Sequence, residues 1–331
     1  MEIINGDIKL HQGERIIDGV SIKGDNSHWW ALDDTLAAKA GGITGTVTHV
    51  GTSRTRVNPD TGLIEAVPAN VARFENVGGY DALLIEPAGT NLVTHSHEFD
   101  NAAWVKTRST ISANAVVGPD GTLSADKLVE DGTAASTHTI VDVIAKESFT
   151  DNSSVSFSVY TKVGGRTWVM LSVKTKDNDN QGYWFNLATG AIGSAYSGGT
   201  DSYEIESAID GFYRISITTD IESGATDPQF TIWLADADNS HTYNGDGTSG
   251  IYIANAQVEE QLSPTPIIHT DGAAVSRGEQ ITWSQGLLAT LIEPAGTNLV
   301  THSHEFDNAA WYKGNSSISA DAVQSPDGSV N

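Results

Sequence analysis

Apolar and polar residues alternate along most of the chain between residues 105 and 262. Turn signals rich in glycine, asparagine and aspartate separate the alternating segments. Short strands at this spacing, with no long helix between them, predict an all-β sandwich. The strand-like segments lie at 155–163, 166–176, 182–190, 212–221, 229–237 and 250–260.

The same alternation predicts which side chains face the core, because successive strand residues point to opposite faces of a sheet. In the first of these segments Val155, Phe157 and Val159 share one face. The same pattern turns seven further residues inward, namely Phe185, Leu187, Phe230, Ile232, Leu234, Ile251 and Ile253. Several large aromatic side chains fall on the opposite, outer faces. These are Tyr160, Trp184, Trp233 and Tyr252, together with Trp168, whose face the pattern leaves open.

Residues 1–44 show a different sequence pattern, which predicts short strands at 6–10 and 19–24 and one helix at about 28–40. Ser27 is a suitable N-cap for this helix, and Gly41 and Gly42 end it. Residues 45–83 alternate and break at Asn-Pro-Asp-Thr-Gly, which predicts a β-hairpin that leads into the sandwich.

A long repeat organises the rest of the chain. Residues 84–104 and 291–311 are identical, and the match continues more loosely from 106–122 to 313–329. The sequence therefore predicts one module over 84–272, a connector over 273–290 and the start of a second, truncated copy over 291–331. We expect that copy to be a fragment of a further module, and the alternative is that its strands complete a neighbouring subunit.

Composition excludes several classes of function. The chain has 331 residues, with 18 Lys and Arg against 42 Asp and Glu, for a net charge of −24. Such an acidic chain repels nucleic-acid phosphates. It contains no cysteine, which excludes disulfides and thiolate zinc sites. No apolar segment reaches membrane-spanning length, and the N-terminus lacks the pattern of a signal peptide.

The motif order carries a family resemblance. LLIEPAGTNLVTHSHEFDNAAWVK, SVYTKVGGRTWVML, FNLATGAI, DGFYRISIT and GTSGIYIANAQVEEQLSPTPII follow one another within a match from about Gly45 to Arg277. This region resembles a domain frequent in virion proteins of tailed bacteriophages, which include tail fibres, head fibres and spikes. The resemblance implies a jelly-roll sandwich similar to carbohydrate-binding modules, preceded here by the small N-terminal region of strands and one short helix.

The resemblance also implies a biological role. We expect a non-enzymatic virion structural protein, a fibre or head decoration, that displays its module for adhesion to a glycan of the host surface. It would be assembled in the bacterial cytoplasm and lie on the virion surface, as a homotrimer. The N-terminal region would attach it to other virion proteins, with Trp29 and Trp30 at that contact.

Two alternative functions remain open from the sequence. One is a pure decoration protein of the capsid or tail, whose outer aromatic side chains are buried between subunits. The other is the binding arm of an enzyme that degrades the cell surface, with its catalytic domain beyond residue 331. No catalytic motif marks the 331 residues, so we expect no enzymatic activity within them.

The outer aromatic residues are the candidate glycan site. Sugar rings offer apolar C–H faces that pack on Trp and Tyr, and polar neighbours can read the hydroxyls. We therefore expect glycan contact at Tyr160, Trp168, Trp184, Trp233 and Tyr252. The alternative is that these rings pack against the N-terminal region or in a subunit interface.

Metal ligands are a weaker candidate, and we expect no cofactor beyond one structural Ca²⁺. Carbohydrate-binding jelly rolls often hold such an ion near their first and last strands, where this chain has Asp100 and Asn255. Both offer the oxygen donors that calcium prefers. His95 and His97 would share one face of a strand, a spacing that can hold a transition metal, but no further ligand is visible nearby in the sequence. The alternative is a pair of exposed or hydrogen-bonded strand histidines. The turns at 177–182 and 244–250 have oxygen donors without the order of an EF-hand loop.

Overall fold

Two six-stranded antiparallel sheets contain most of the alternating segments. The computed structural model describes backbone and side chains for residues 54–58, 60–69, 71, 73, 88–175, 180–197 and 202–278. Outside these ranges it describes only the backbone of strands. The predicted second copy at 291–331 lies outside the described residues.

Ten short strands precede the module. They are β1 (Glu2–Ile4), β2 (Asp7–Leu10), β3 (Glu14–Arg15), β4 (Val20–Lys23), β5 (Trp29–Leu32), β6 (Thr48–His49), β7 (Arg54–Val57), β8 (Ile64–Val67), β9 (Phe74–Val77) and β10 (Tyr80–Leu83).

The strands of the module and of the predicted connector follow in chain order. They are β11 (Gly89–Asn91), β12 (Val105–Thr107), β13 (Ser109–Val117), β14 (Leu123–Glu130), β15 (Thr139–Val143), β16 (Ser153–Val163), β17 (Trp168–Lys176), β18 (Asp179–Asn186), β19 (Ala191–Tyr196), β20 (Ser202–Ser207), β21 (Tyr213–Ile221), β22 (Gln229–Ala235), β23 (Gly250–Glu259), β24 (Val275–Arg277) and β25 (Ile281–Thr282).

Sheet A has the strand order β12-β15-β22-β17-β18-β19, and sheet B has the order β13-β14-β23-β16-β21-β20. Every pairing between strands of these sheets is antiparallel. Neighbours in each sheet are mostly not consecutive in the chain, so the connections cross between the sheets as in a jelly roll. This architecture confirms the predicted all-β sandwich.

The inner faces of the two sheets form one continuous apolar core. Phe230 of sheet A and Phe157 of sheet B meet edge to face, with 5.6 Å between their ring centroids. The predicted inward positions are all buried: Val155, Phe157, Val159, Phe185, Leu187, Phe230, Ile232, Leu234, Ile251 and Ile253. The alternation therefore predicted the core correctly. Successive side chains of a strand point to opposite faces of the sheet, so each residue has only two possible directions.

Residues 91–104 contribute three side chains to this core. Val93, Phe99 and Trp104 insert fully into it. The carboxylate of Asp126 accepts the backbone N–H of Phe99 at 3.1 Å, which fixes the chain where it enters the core.

The predicted lead-in hairpin is present as β7 and β8, in the register Arg54↔Val67 to Val57↔Ile64. Its turn is held by the side chain of Asn58, whose Oδ1 accepts the backbone N–H groups of Asp60 and Thr61 at 2.9 and 3.1 Å.

The helix predicted at about 28–40 is wrong for its first residues. Residues 29–32 form strand β5, which pairs with β4 in the register Val20↔Leu32 to Lys23↔Trp29. Aromatic residues in tandem favour a paired strand, and pairing with β4 overrides the local capping signal. Residues 33–40, and the side chains of Trp29 and Trp30, lie outside what the structure describes, so their predicted contact stays a prediction.

The helices within the described residues are two 3₁₀ turns, Lys146–Ser148 and Ile209–Gly211. No helix among these residues has the length and apolar character needed to cross a membrane.

Candidate functional site

The outer face of sheet A carries a cluster of aromatic side chains. The register of the sheet places Met170 opposite both Trp233 and Trp184, so these three residues lie side by side on β22, β17 and β18. We use the name aromatic patch for this cluster, which consists of Trp168, Met170, Trp184, Tyr196, Trp233 and His241.

Trp184 is the buried centre of the patch and is fully inaccessible to solvent. The ring of Tyr196 packs edge-on against it at 5.6 Å, and the ring of His241 covers it at 6.0 Å. Trp184 therefore supports the patch from below. Its predicted role as a direct glycan contact is wrong, because neighbouring rings cover the indole.

His241 reaches the patch from the loop after β22. Its ring also packs edge-on against Trp233 at 5.2 Å and Tyr196 at 5.3 Å. Burial lowers the pKa of the His241 imidazole, because the charged form loses hydration there. His241 Nδ1 and Trp184 Nε1 are both buried without a hydrogen-bond partner. The patch thus contains one unused N–H donor and one ring nitrogen that can accept.

The half-buried rings of Trp168, Tyr196 and Trp233 form the accessible part of the patch. Trp233 is held in place because its Nε1 donates a 2.7 Å hydrogen bond to Ser172 Oγ. A ring fixed in this way loses little entropy when a ligand packs on it.

A carboxylate borders the rings at one edge. Asp238 accepts hydrogen bonds from the backbone N–H and the hydroxyl of Ser194, at 2.8 and 3.0 Å. Gly193 makes this approach possible, since a Cβ at that position would lie only 2.7 Å from the Trp168 ring and would crowd Asp238. Asp238 is exposed and offers acceptor oxygens beside Trp168.

Tyr160 and Tyr252 belong to a different surface, on the outer face of sheet B. Tyr160 is 5% exposed and packs against Ile64 of the lead-in hairpin and Phe212. Tyr252 is half-buried, and Lys127 Nζ lies 5.9 Å from its ring centre. The five aromatic residues predicted as glycan contacts therefore form two separate groups, because alternate positions of two different sheets face opposite sides of the sandwich.

Sequence reasoning missed Tyr196 and His241. Tyr196 lies on an edge strand where the alternation is weak, and a bulge shifts the register of β18 and β19 just before it. His241 comes from a loop, where no periodicity indicates direction.

The strand predicted to carry His95 and His97 is absent. Residues 92–98 are an irregular segment in which His95 makes an isolated bridge, so the two imidazoles do not share a strand face. His95 Nδ1 lies 2.6 Å from Glu98 Oε2, whereas the His97 ring meets the edge of His269 at 5.8 Å.

Asp100 and Asn255 differ in their environments. Asp100 is exposed, while Asn255 is 5% exposed and has a left-handed backbone with φ of 51°. Asn255 follows Ala254 in the part of β23 where its register with β16 shifts, as a bulge requires. A calcium ion at these residues stays a prediction.

The turn at 244–250 is organised by Asp246. Its carboxylate accepts the backbone N–H groups of Thr248 and Ser249, each at 2.7 Å, and both hydroxyls. These hydrogen bonds hold the pKa of Asp246 well below its usual range, because they stabilise the charged form.

No family model matches the chain, and no curated protein matches it. Solved structures that are weakly similar include β-sandwich carbohydrate-binding modules and a phage tailspike domain. The enzymatically active domain of tailspike protein 4 from bacteriophage CBA120 is 14% identical, with a TM-score of 0.32. That match covers 51% of this chain and 21% of the other.

Two structures that contain a CBM22-1 module are similar to the same degree. The N-terminal CBM22-1–GH10 modules of Clostridium thermocellum Xyn10B are 12% identical, with a TM-score of 0.32 over 56% of this chain and 30% of the other. The CBM22-1 xylan-binding domain of Paenibacillus barcinonensis Xyn10C is 11% identical, with a TM-score of 0.29 over 53% of this chain and 94% of the other. The chain thus spans less than a third of the first two proteins. At these TM-scores the similarity carries no argument about function.

Proposed function

We propose that this protein is a non-enzymatic carbohydrate-binding module that binds a glycan on the outer face of sheet A. The observation that carries the proposal is the aromatic patch, in which accessible Trp168, Trp233 and Tyr196 surround a buried indole. Rigid rings of this kind offer apolar faces to the C–H groups of a sugar ring.

The polar groups at the patch fit the same ligand class. A sugar hydroxyl both donates and accepts, so it can donate to the exposed carboxylate of Asp238 beside Trp168. An anionic glycan is a poor candidate, because the patch is bordered by Asp238 and the whole chain carries a net charge of −24.

We further place the module on the surface of a tailed-phage virion, where it would mediate adhesion to the bacterial host. The motif order within the 45–277 region supports this placement. A homotrimer would present three patches, so weak individual contacts would add through avidity. Light scattering checks the assembly, with an expected mass three times the 35.0 kDa of one chain.

A glycan array tests the binding function. Wild-type protein should bind at least one class of neutral glycan, and Trp168→Ala and Trp233→Ala should each weaken that binding at least tenfold. Tyr252→Ala is the matched control, since it removes a half-buried aromatic ring from the outer face of sheet B and should leave affinity unchanged.

Circular dichroism of each variant separates loss of binding from loss of fold. Absence of any glycan signal for folded wild-type protein would refute the proposal, and so would equal losses in Trp233→Ala and Tyr252→Ala.

A further inference from the structure

A histidine and an aspartate face each other across two paired segments at the edge of the module. His95 and Asp271 form an isolated antiparallel bridge. On one side of it, the backbone N–H of Gly272 donates to the carbonyl of Thr94 at 2.8 Å. Directly opposite residues of an antiparallel pair have neighbouring side chains, so the imidazole and the carboxylate project from adjacent points.

The other side of the bridge is also fixed. The backbone N–H of Ser96 donates to Thr270 Oγ1 at 3.0 Å, and the backbone N–H of Thr270 donates to Ser96 Oγ at 3.0 Å. The carbonyl of His95 itself accepts the indole N–H of buried Trp104 at 2.9 Å. The backbone that carries His95 is therefore held in place by the core of the module.

Glu98 adds a third group from the turn that follows. Its Oε2 lies 2.6 Å from His95 Nδ1, and possible ligand atoms of His95, Glu98 and Asp271 all lie within 4.8 Å of one another. Within the part of the chain that the structure describes, no other three histidine or acidic side chains have possible ligand atoms this close together.

We propose that His95 Nδ1 and one carboxylate oxygen from each of Glu98 and Asp271 bind a divalent first-row transition metal, with Zn²⁺ as the test ion. Zinc accepts imidazole and carboxylate ligands at about 2.0–2.2 Å, so tetrahedral donors lie roughly 3.3 Å apart. The Glu98 side chain is 40% exposed and Asp271 is exposed, so both can adjust to that spacing around a fixed histidine.

The donor set favours zinc over calcium. Calcium takes six to eight oxygen ligands, whereas an imidazole nitrogen suits zinc, copper or nickel. Three protein ligands leave the fourth tetrahedral position for water. Binding uses the Nδ1 lone pair, so the neutral His95 imidazole carries its single proton on Nε2 when the metal is bound.

This site differs from both metal sites expected from the sequence. It uses His95 without His97, and it includes neither Asp100 nor Asn255. Asp271 lies 176 positions after His95 in the chain, so only the fold brings the two together. The proposal is independent of glycan binding, because the aromatic patch contributes no ligand to it.

Calorimetric titration with ZnCl₂ after removal of metal tests the proposal on the full chain. The repeat also contains His302, His304 and Glu305, so every protein in the series carries His302→Ala and His304→Ala. This background should bind one Zn²⁺ and should melt at a higher temperature in its presence, because a ligand bound only by the native state stabilises it.

Three variants remove one ligand each, namely His95→Asn, Glu98→Gln and Asp271→Asn. Each should weaken Zn²⁺ affinity at least tenfold. His97→Asn is the matched control, since it changes the neighbouring histidine and should keep the affinity within twofold. Co²⁺ in place of Zn²⁺ should give visible absorption bands typical of tetrahedral coordination, and the His95→Asn protein should lose them.

Three results would overturn the site: no Zn²⁺ bound by the folded background protein, equal weakening by His97→Asn and His95→Asn, or unchanged affinity in Glu98→Gln. The last variant alters an exposed side chain, so circular dichroism is expected to show an intact fold and the test does not depend on a destabilised protein.

Discussion

Replacing Glu130 with alanine removes a buried carboxylate that anchors the loop after β22 to the end of β14. The Glu130 side chain is fully buried and accepts hydrogen bonds from four donors. Two come from Arg166, at 2.8 Å from Nε and 2.5 Å from a terminal nitrogen. The others are the hydroxyl of Tyr243 at 2.7 Å and the backbone N–H of Asp246 at 2.8 Å.

The size of the effect follows from what the substitution leaves behind. Arg166 stacks on the Tyr243 ring at 4.7 Å and would keep its charge without the partner that raises its pKa. Burial, followed by the hydrogen bond to Glu130, raises the pKa of Tyr243, so its hydroxyl would stay protonated and lose its acceptor. Removing one member of a buried ion pair costs about 3–5 kcal/mol. Since the Arg166 side chain is 20% exposed and can reach water, we expect about 3 kcal/mol.

Urea denaturation followed by tryptophan fluorescence measures the loss. The matched control is Glu65→Ala, which breaks the ion pair between Glu65 and Arg56 in the lead-in hairpin. A terminal nitrogen of Arg56 lies 2.7 Å from Glu65 Oε1, so the contact is about as short as those of Glu130. The side chains of Glu65 and Arg56 are, however, 36% and 23% exposed. An exposed pair contributes about 0–1 kcal/mol, so the control should change the free energy of unfolding by no more than that.

If Glu130→Ala costs less than about 1 kcal/mol, or no more than Glu65→Ala, the reasoning is refuted. The buried carboxylate would then be dispensable, and the loop that follows His241 would be held by other contacts.

Two further predictions concern the core and the patch. Burial raises the pKa of Asp142 from 3.8 to about 6, so the native state binds this proton more tightly than the unfolded chain. The protonated Asp142 contributes about 2–3 kcal/mol to the free energy of unfolding. This contribution is fully present below about pH 4 and is lost as the pH rises through about 6. Asp142→Asn should remove this dependence in denaturation measured from pH 4 to 7, and a constant difference from wild type would contradict it. Gly193→Ala would place a methyl group 2.7 Å from the Trp168 ring and should displace that ring. Calorimetry should then show glycan affinity at least fivefold weaker, with little change in melting temperature. Unchanged affinity would count against the patch.

The strands and their inner faces could be predicted from the sequence. Segments such as 155–163 and 229–237 alternate strictly, and the alternation correctly placed Phe157 and Phe230 in the core. The helix at about 28–40 failed at residues 29–32 because capping signals are local, whereas a strand depends on a partner such as β4.

The candidate site was only partly predictable. The pattern placed Trp184 and Trp233 on an outer face, and the structure agrees. It could not show that Tyr196 and His241 cover Trp184, or that Tyr160 lies on the opposite side of the sandwich beneath the lead-in hairpin.

The sequence by itself determined the all-β class and the division of each strand into an inner and an outer face, because these depend on the identities of residues close together in the chain. Only the tertiary structure decided which outer rings remain accessible, and which distant groups converge. Accessibility depends on loops packed over a sheet, as His241 shows, and convergence depends on strand pairing, as His95 and Asp271 show across 176 positions of sequence.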